Sequence, residues 1–255
     1  LQHGVIKDEM QWLHRKNLYL DLFVCGAKPE YEYIRDTYGF APQVPRYLGL
    51  ARWDHLLQAG QTPCKKMILL MPTWRGSHYP EGESFLDTPY YKAFDSLLNS
   101  ARLDALLEQY NYTLVFYPHI EMQKHLAQFH TDSARVYLAD STTHDVQQLL
   151  LDCALLITDY SSVFFDVAYL EKPELYYQFD ETEFRQYHYK QGYFDYRRDG
   201  FGPVCTTEEA LLQALETALQ NGMQMPPEYK ARVAAFFPLR DTQNCARTYE
   251  AICGL

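Results

Sequence analysis

A short apolar run that turns polar and then resumes with helical spacing is the feature that most constrains the fold. Residues 154–157 are apolar and predict a buried strand, which ends at the polar residues 158–162. Apolar side chains then recur from Val163 to Leu170 at intervals typical of an α-helix. The pattern predicts a strand, a turn and a helix, which is the repeating unit of a sheet with helices on its faces.

The polar turn in this pattern is a candidate binding site. In an open parallel sheet, such a turn lies outside the carboxyl end of a strand, where ligands bind, and the first N–H groups of the following helix attract anions. Ser161 and Ser162 offer hydroxyl groups suited to a phosphate. A simpler interpretation is that one serine caps the helix and that Asp166 is an ordinary exposed carboxylate. These residues alone leave both interpretations open.

Predicted strands and helices alternate along almost the whole chain. Further strands are predicted near residues 17–24, 44–48, 66–71, 112–117, 136–139 and 174–179, and helices near residues 29–38, 90–109, 143–152 and 207–221. Such alternation predicts an α/β fold built on a doubly wound parallel sheet. Residues 60–63, Gly-Gln-Thr-Pro, are the best candidate for a linker between two units.

Composition narrows the class of protein further. The 255-residue chain has 23 Lys and Arg against 33 Asp and Glu, and its net charge of −10 opposes non-specific binding to nucleic acid or to an anionic membrane. No apolar run approaches the roughly 20 residues that a membrane-spanning helix needs. Six cysteines without a C-x-x-C pair or metal-site spacing favour a reducing cytoplasm. Because the sequence begins at Leu1 in what resembles the middle of an element, we expect a fragment of a longer polypeptide.

Polar clusters follow several of the predicted strands. They are Thr73 to Arg75, Pro118-His119, Ser141 to His144 and Thr158 to Ser162. Because parallel strands place their carboxyl ends along the same edge of a sheet, we expect these clusters to line one crevice. Arg75 offers a two-pronged donor for phosphate, and His119 offers a group that titrates near neutral pH. Together with the serines, they predict a site for a phosphorylated, nucleotide-bearing ligand.

Each of these residues also has a purely structural interpretation. Arg75 could be a surface arginine behind a buried Trp74, and His119 a loop histidine that follows a proline. Most of the nine histidines, His188 among them, are expected to be structural or surface residues. His144 is expected to cap or pack against the helix that follows it.

A series of short motifs resembles those of one enzyme family. The motifs are His3-Gly4, Arg52-Trp53-Asp54, Met71 to Arg75, Pro118-His119, Ile157 to Asp166 and Gly200 to Pro203. Their order and spacing resemble those of the CDP-glycerol glycerophosphotransferase family, which comprises teichoic acid primases and polymerases and related capsule polymerases. The string Asp-Tyr-Ser-Ser with its downstream Phe-Asp is the most specific of them, and the resemblance extends to a closing segment at residues 237–247.

The resemblance implies a GT-B-like architecture, in which two doubly wound, Rossmann-like domains face each other across a cleft. On that mapping, residues 1–58 are the C-terminal part of the acceptor-side domain. Residues 59–235 form the domain that binds the nucleotide donor. Residues 236–255 form a closing helix that returns toward the first domain.

The resemblance also implies an activity. Enzymes of this family move glycerol phosphate or a related polyol phosphate from a CDP-activated donor to a hydroxyl group of a cell-wall or capsular polymer, and they release CMP. By resemblance, His3 is the expected general base and His119 the expected contact to the donor phosphate or leaving group, although these roles could be exchanged. The residues expected to hold the donor phosphates and nucleotide are Thr73, Arg75, Thr158, Ser161 and Ser162. Asp166 is expected to bind a donor hydroxyl, and no metal ion or other cofactor is expected.

The implied partners are a CDP-glycerol-like donor and a polymer or lipid-linked acceptor, with no nucleic acid. The expected location is the cytoplasm, with peripheral contact to the inner face of the cell membrane through a region outside this chain. Two other interpretations stay open. One is a GT-B glycosyltransferase or nucleotide-sugar epimerase that uses a sugar nucleotide, and the other is a donor-binding fragment without turnover.

Overall fold

A computed structural model describes residues 4–75 and 84–255 of the chain. The strands are β1 (Asp8–Glu9), β2 (Phe23–Cys25), β3 (Pro45–Tyr47), β4 (Met67–Leu70), β5 (Thr113–Phe116), β6 (Val136–Leu138), β7 (Leu155–Thr158), β8 (Glu174–Tyr177), β9 (Lys190–Gln191) and β10 (Val204–Cys205). The α-helices are α1 (Lys28–Thr37), α2 (Arg52–Ala59), α3 (Pro89–Leu98), α4 (Ala101–Tyr110), α5 (Ile120–Gln123), α6 (Val146–Asp152), α7 (Phe164–Tyr169), α8 (Glu181–Tyr187), α9 (Tyr196–Asp199), α10 (Glu208–Gln220), α11 (Pro227–Phe236) and α12 (Asn244–Cys253).

Within the described residues, a six-stranded parallel sheet has the order β10-β8-β7-β4-β5-β6. From β4 the chain builds outward through β5 and β6, and it then returns to β7 and builds the other way through β8 and β10. The strand order therefore reverses between β4 and β7, and ligands of open α/β sheets bind beside the carboxyl ends of strands at such a reversal. The predicted doubly wound parallel sheet is confirmed.

The central strands are buried on both faces because helices cover both. Along β4, Met67 and Leu69 pack into one hydrophobic cluster, whereas Ile68 and Leu70 pack into the opposite one. This alternation follows from the two-residue period of a strand. It also explains why the sequence shows continuous apolar runs here, since both faces of a parallel sheet are normally covered.

Residues 4–59, which we call the first unit, have a smaller core of their own. Strands β2 and β3 pair in parallel and pack with α1 around Phe23 and Ile34. The buried Glu30 carboxylate accepts the N–H groups of Ile6 at 2.7 Å and of Gly26 at 2.6 Å. Because a buried carboxylate needs such partners, Glu30 fixes the loops that precede β1 and follow β2.

Three details differ from the sequence-based prediction. The helix predicted over 90–109 is divided into α3 and α4, because the Ser100 hydroxyl accepts the Leu103 N–H at 3.4 Å and starts a second helix. The strand predicted over 17–24 is wrong for most of its length, since β2 begins only at Phe23. Residues 52–59 form α2, where no helix was predicted. The domain boundaries at residues 58 and 235 stay predictions.

Helix α12 returns to the first unit and is held there by α2. The Asp54 carboxylate accepts the backbone N–H groups of Asn244 and Cys245, each at 2.9 Å, and the Asn244 side-chain amide at 2.6 Å. Asp54 thereby caps α12 from a different helix. The Asn244 side chain in turn lies against Gly49, whose φ is +78°.

Gly49→Ala is expected to lower the free energy of unfolding by about 2 kcal/mol. The left-handed backbone disfavours a Cβ, and the added Cβ would also disturb the contacts of Asn244 at the start of α12. A Cβ at this position would lie 1.7 Å from Oδ1 of Asn244. Gly222→Ala is the matched control, because Gly222 has a φ of +63° and nothing within 4 Å of its added Cβ. Urea unfolding of both variants measures the difference, and equal costs would show that the contact with Asn244 is unimportant.

Candidate active site

The structure brings three of the polar clusters together beside the reversal of strand order. They follow β4, β5 and β7, which are neighbours in the sheet. The Thr73 N–H donates to Oδ1 of Asp159 at 2.8 Å, which joins the first cluster to the third. The His119 N–H donates to the Pro72 carbonyl at 3.2 Å, and the rings of His119 and Trp74 are stacked with centroids 6.2 Å apart.

Arg75 lies under this edge and is largely buried, with 10% of its side chain exposed. Its Nη1 donates to Asp159 and its Nε to Asp180, each at 2.8 Å. Burial alone lowers the pKa of Arg75, but the two carboxylates outweigh it and hold that pKa above its ordinary value. In this structure the Arg75 guanidinium is therefore bound by two carboxylates, and it holds the turn after β4 in place. Its predicted contact with phosphate stays a prediction.

Two of the polar side chains after β7 have structural partners. Thr158 is buried, and its hydroxyl donates to the Met71 carbonyl at 2.7 Å, which links β7 to the end of β4. The Ser161 hydroxyl accepts the Val163 N–H at 3.4 Å, which is long for a hydrogen bond. Such a contact is of the helix-capping type that the simpler interpretation of the sequence expected. Neither contact tests whether these side chains also hold a donor.

Ser162 marks the place where the first unit meets the sheet. It is half-buried, and a Cβ added to Gly4 would lie 3.2 Å from its hydroxyl oxygen. The absence of a side chain at Gly4 thus permits close approach of the two segments. His3 lies outside the described residues, so its predicted role as general base stays a prediction.

The buried Asp166 carboxylate binds residues of α2 across the same boundary. It accepts Nε of Arg52 at 2.6 Å, Nη2 of Arg52 at 2.8 Å and Nε1 of Trp53 at 2.8 Å. Desolvation lowers the pKa of Arg52, but the hydrogen bonds and charge of Asp166 outweigh it and raise that pKa overall. In this structure Asp166 thus positions Arg52, and its predicted contact with a donor hydroxyl stays a prediction.

Arg52 itself was not among the predicted site residues. The Arg-Trp-Asp motif includes Arg52, but its partner Asp166 lies 114 residues away in the sequence, so no local pattern could link the two. About a third of its side chain, 35%, is exposed. Its Nη2 lies near Gly4 as well, 3.7 Å from the position of an added Cβ. Arg52 thus brings a positive charge to the rim between the two units.

His119 is oriented by the helix that it starts. Its Nδ1 accepts the Glu121 N–H at 3.2 Å, and it is the N-cap of α5. This hydrogen bond places the ring proton of neutral His119 on Nε2, where it can be donated to an oxygen. Trp74, which stacks on His119, also contacts His188, and the ring centroids of Trp74 and His188 are 5.5 Å apart. The His188 ring also stacks on that of Phe184, with centroids 4.4 Å apart. Its expected structural or surface role stays a prediction.

A cavity of about 420 Å³ opens at the ends of β5 and β6. It is lined by Tyr117 and residues 141–146, so the predicted polar cluster from Ser141 to His144 faces this space. The Asp140 carboxylate holds the turn by accepting the N–H groups of Thr142 at 2.9 Å and Thr143 at 3.1 Å. The walls combine an aromatic residue with hydroxyl groups and a fixed backbone, which suits a planar, polar ligand group.

Metal-ligand groups and membrane-spanning helices are both missing from residues 4–75 and 84–255. No three His, Cys, Asp or Glu side chains in these ranges are grouped as metal ligands would be. None of the helices there combines the length and the hydropathy that crossing a bilayer requires.

Comparison with known proteins identifies similar chains. The family model for CDP-glycerol:poly(glycerophosphate) glycerophosphotransferases matches residues 55–254. The minor teichoic acid biosynthesis protein GgaB of Bacillus subtilis (strain 168) is 33% identical over 100% of this chain and 29% of its own length. A teichoic acid poly(glycerol phosphate) polymerase of Bacillus spizizenii is 34% identical over 59% of this chain and 36% of its own length. The chain thus spans about a third of these curated relatives.

The fold has similar solved structures as well. The wall teichoic acid polymerase TagF superposes with a TM-score of 0.65 at 19% identity, over 98% of this chain and 66% of that one. At this level of identity the likeness concerns the fold, and it confirms the predicted GT-B-like architecture.

Proposed function

This chain belongs to the CDP-glycerol:poly(glycerophosphate) glycerophosphotransferase family, and from that premise we propose that it transfers a polyol phosphate from a CDP-activated donor to a hydroxyl group of a wall polymer. The acceptor oxygen forms a bond to the distal phosphorus of the donor, the bond to the CMP oxygen breaks, and the acceptor proton passes to a base. The observation that carries the proposal is the convergence of the loops after β4, β5 and β7, joined by the 2.8 Å contact of Thr73 with Asp159.

Phosphoryl transfer depends mainly on positioning and on stabilisation of charge. In our proposal, the donor diphosphate lies between the Ser162 hydroxyl and Nε2 of His119. Arg52, held by Asp166 at 2.6 Å, supplies positive charge from the other side of the boundary. His3 remains the proposed base, and its neighbour Gly4 lies against Ser162. The bound donor needs no metal ion in this arrangement, which activity in the presence of a chelator would test.

The cavity beside Tyr117 is the proposed place for the nucleoside. Its wall includes Tyr117, which lies two residues before His119 in the sequence, and we propose that a nucleotide bound there directs its phosphates toward His119. The hydroxyl groups of residues 141–143 donate to Gln123 and Asp140 in this structure, and their lone pairs can accept hydrogen bonds from a polar base or its ribose. We further propose that the reaction takes place in the cytoplasm at the inner face of the membrane, with membrane contacts made by other parts of the natural protein.

Titration calorimetry with CDP-glycerol, CDP-ribitol and UDP-N-acetylglucosamine tests the proposed donor class. Binding of a CDP-polyol, together with CMP release when a polymer acceptor is added, is the expected result. Binding of the UDP-sugar alone would support a glycosyltransferase or epimerase instead. Binding of a CDP-polyol without CMP release from the complete natural protein would support a binding module without turnover.

Ser162→Ala is expected to weaken binding of the CDP-polyol about 10-fold, because a hydrogen bond to a charged phosphate is lost. Ser96→Ala is the matched control, since the exposed Ser96 hydroxyl donates to Glu208 at 2.7 Å on a helix outside the site. The control is expected to bind the donor as the wild type does. Equal affinities in both variants would remove Ser162 from the donor site.

A further inference from the structure

The backbone N–H groups of residues 141–144, in the wall of the cavity at the ends of β5 and β6, are all engaged within the chain. The Ser141 N–H donates to Oε1 of Gln123 at 3.0 Å. Those of residues 142–144 donate to Asp140, the first two to its carboxylate at 2.9 and 3.1 Å and the third to its carbonyl at 3.0 Å. Both acceptors lie outside the residues that line the cavity. The backbone of this stretch therefore has no N–H left for a ligand.

The hydroxyl groups of the same stretch are engaged by the same two acceptors. The Ser141 hydroxyl donates to Oε1 of Gln123 at 3.0 Å. Those of Thr142 and Thr143 donate to Oδ1 of Asp140 at 2.7 and 3.0 Å. Because a hydroxyl group carries one proton and two lone pairs, each of these groups is left with lone pairs for a ligand.

Both acceptors are fixed in that role by their own surroundings. Nε2 of Gln123 donates to the Pro118 carbonyl at 3.0 Å, so the other terminal atom of Gln123 is the amide oxygen. Hydrogen bonds from Thr142 and Thr143 lower the pKa of Asp140, so its carboxylate is ionised at neutral pH and only accepts. Turning a hydroxyl proton toward the cavity would break one of these hydrogen bonds, and those to an ionised carboxylate are among the stronger ones.

The same hydrogen bonds determine which nitrogen of His144 carries the proton. His144 is exposed and lines the cavity, and its Nδ1 lies 2.9 Å from Oγ1 of Thr143. Since the Thr143 proton is given to Asp140, Oγ1 accepts from His144, and the hydrogen of the neutral ring is on Nδ1. Nε2 of His144 is therefore an acceptor. This is the opposite of His119, whose Nδ1 accepts a backbone N–H.

The stretch from Ser141 to His144 thus accepts hydrogen bonds and does not donate them. Asp145 also lines the cavity, and its carboxylate, which accepts the Gln148 N–H at 2.9 Å, adds negative charge. Together with Asp140 behind the wall, this charge repels phosphate. A nucleotide in the cavity is therefore favoured with its base against the stretch and its phosphates directed away from it.

We propose that His144 selects the base of the donor, because its Nε2 accepts a hydrogen bond from the exocyclic amino group of cytosine. Uracil carries an oxygen in place of that amino group, and an oxygen that faces a lone pair leaves both atoms without a partner. The proposal rests on the proposed function and adds the residue that distinguishes the bases. The hydroxyl groups of an acceptor polyol are the less favoured occupant, because they donate and accept alike and do not require a wall of acceptors.

His144→Leu tests this role by titration calorimetry with CDP-glycerol and UDP-glycerol. The wild type is expected to bind CDP-glycerol at least about 10-fold more tightly than UDP-glycerol. In His144→Leu, the affinity for CDP-glycerol is expected to fall about 10-fold and that for UDP-glycerol to stay unchanged, because only the amino group makes the lost hydrogen bond. His130→Leu is the matched control. The His130 side chain is 71% exposed beside Asp95, outside the cavity lining, and its loss is expected to change neither affinity.

Thr143→Val tests the assignment of the ring proton. It removes the hydroxyl group that holds Nδ1 of His144 but leaves Nε2 in the protein. The ring can then turn or exchange its proton between the two nitrogens, so the preference for CDP-glycerol over UDP-glycerol is expected to fall about 3-fold to 10-fold. Thermal melting of each variant shows whether the fold is kept.

An unchanged preference for CDP-glycerol in both His144→Leu and Thr143→Val would overturn the proposal. A raised KM for a polyol phosphate acceptor, with that preference unchanged, would overturn it in favour of an acceptor at this wall. If the complete natural protein releases no CMP from any CDP-polyol, the proposed function fails instead. Binding of CMP compared with UMP then decides the role of His144 by itself, because the proposal requires a preference for CMP that His144→Leu abolishes.

Discussion

Arg75→Met is expected to lower the free energy of unfolding by about 3–5 kcal/mol, because removal of one partner leaves buried charges without compensation. Arg75 holds Asp159, whose side chain is fully buried, and Asp180, whose side chain is 6% exposed. Methionine fills a similar volume but donates no hydrogen bond, so the lost charge dominates the change. Urea unfolding at neutral pH measures the effect.

The pH dependence of the variant provides a second measurement. Burial raises the pKa of Asp159, whereas Arg75 opposes that rise, so loss of Arg75 raises the pKa of Asp159 further. A group with a raised pKa in the folded state favours folding in its protonated form, and that contribution is lost as the pH rises through the folded-state pKa. The loss of unfolding free energy caused by Arg75→Met is therefore expected to be smaller at about pH 4 than at neutral pH.

Arg102→Met is the matched control for both measurements. Arg102 also binds two carboxylates, Glu209 and Glu216, but on the surface of α4 and α10. Surface ion pairs contribute little because solvent screens them. No measurable loss of stability is expected there. A small effect of Arg75→Met as well would show that the pairs beneath the site are not needed for folding.

His119→Ala is expected to reduce the rate of CMP release about 100-fold, the usual effect of losing a proton donor or acceptor in the transition state. The ring is fixed by the Glu121 N–H at Nδ1 and by stacking on Trp74. These two contacts fix the orientation of the imidazole ring and therefore the position of Nε2. The complete natural protein, a CDP-polyol and a polymer acceptor are the components of the assay.

Two further variants separate chemistry from packing at His119. His119→Asn keeps a side-chain oxygen that caps α5 but cannot transfer the proton, so low activity with normal thermal stability is expected. His125→Ala removes a ring stacked on Phe85 at 4.1 Å, outside the site, and is expected to retain activity. Near-normal turnover in His119→Ala would remove this histidine from the mechanism.

The sheet could be predicted from sequence because buried parallel strands leave a simple pattern. In β7, for example, four successive buried residues are followed by a polar turn, and a short run of this kind is typical of a strand that is covered on both faces. The same rule placed the polar clusters at one edge, since the topology of a parallel sheet fixes where strand ends lie. Helix α2 was missed because its eight residues include Arg, Asp, His and Gln, which interrupt the apolar spacing.

The partners of the site residues could not be predicted in the same way. Arg75 and Asp180 are 105 residues apart, and their pairing depends on how α8 is packed under the end of β4. The ion pair of Asp166 with Arg52 likewise depends on how the first unit packs against the rest of the chain. Sequence patterns of this kind report local periodicity, so they identify a carboxylate or a guanidinium near a strand end but not the group that it binds.

The attachment of α12 to α2 has a mechanical consequence for the crevice. The chain leaves the first unit near Gly60 and returns to it at Asn244, where Asp54 accepts N–H groups at 2.9 Å. Together with the pairing of β1 with β9 and the 2.6 Å contact of Arg185 with Asp8, this attachment joins the first unit to the rest of the chain at several separated points. Widening between Gly4 and Ser162 therefore requires several of these contacts to break at once, in addition to those of Arg52 with Asp166.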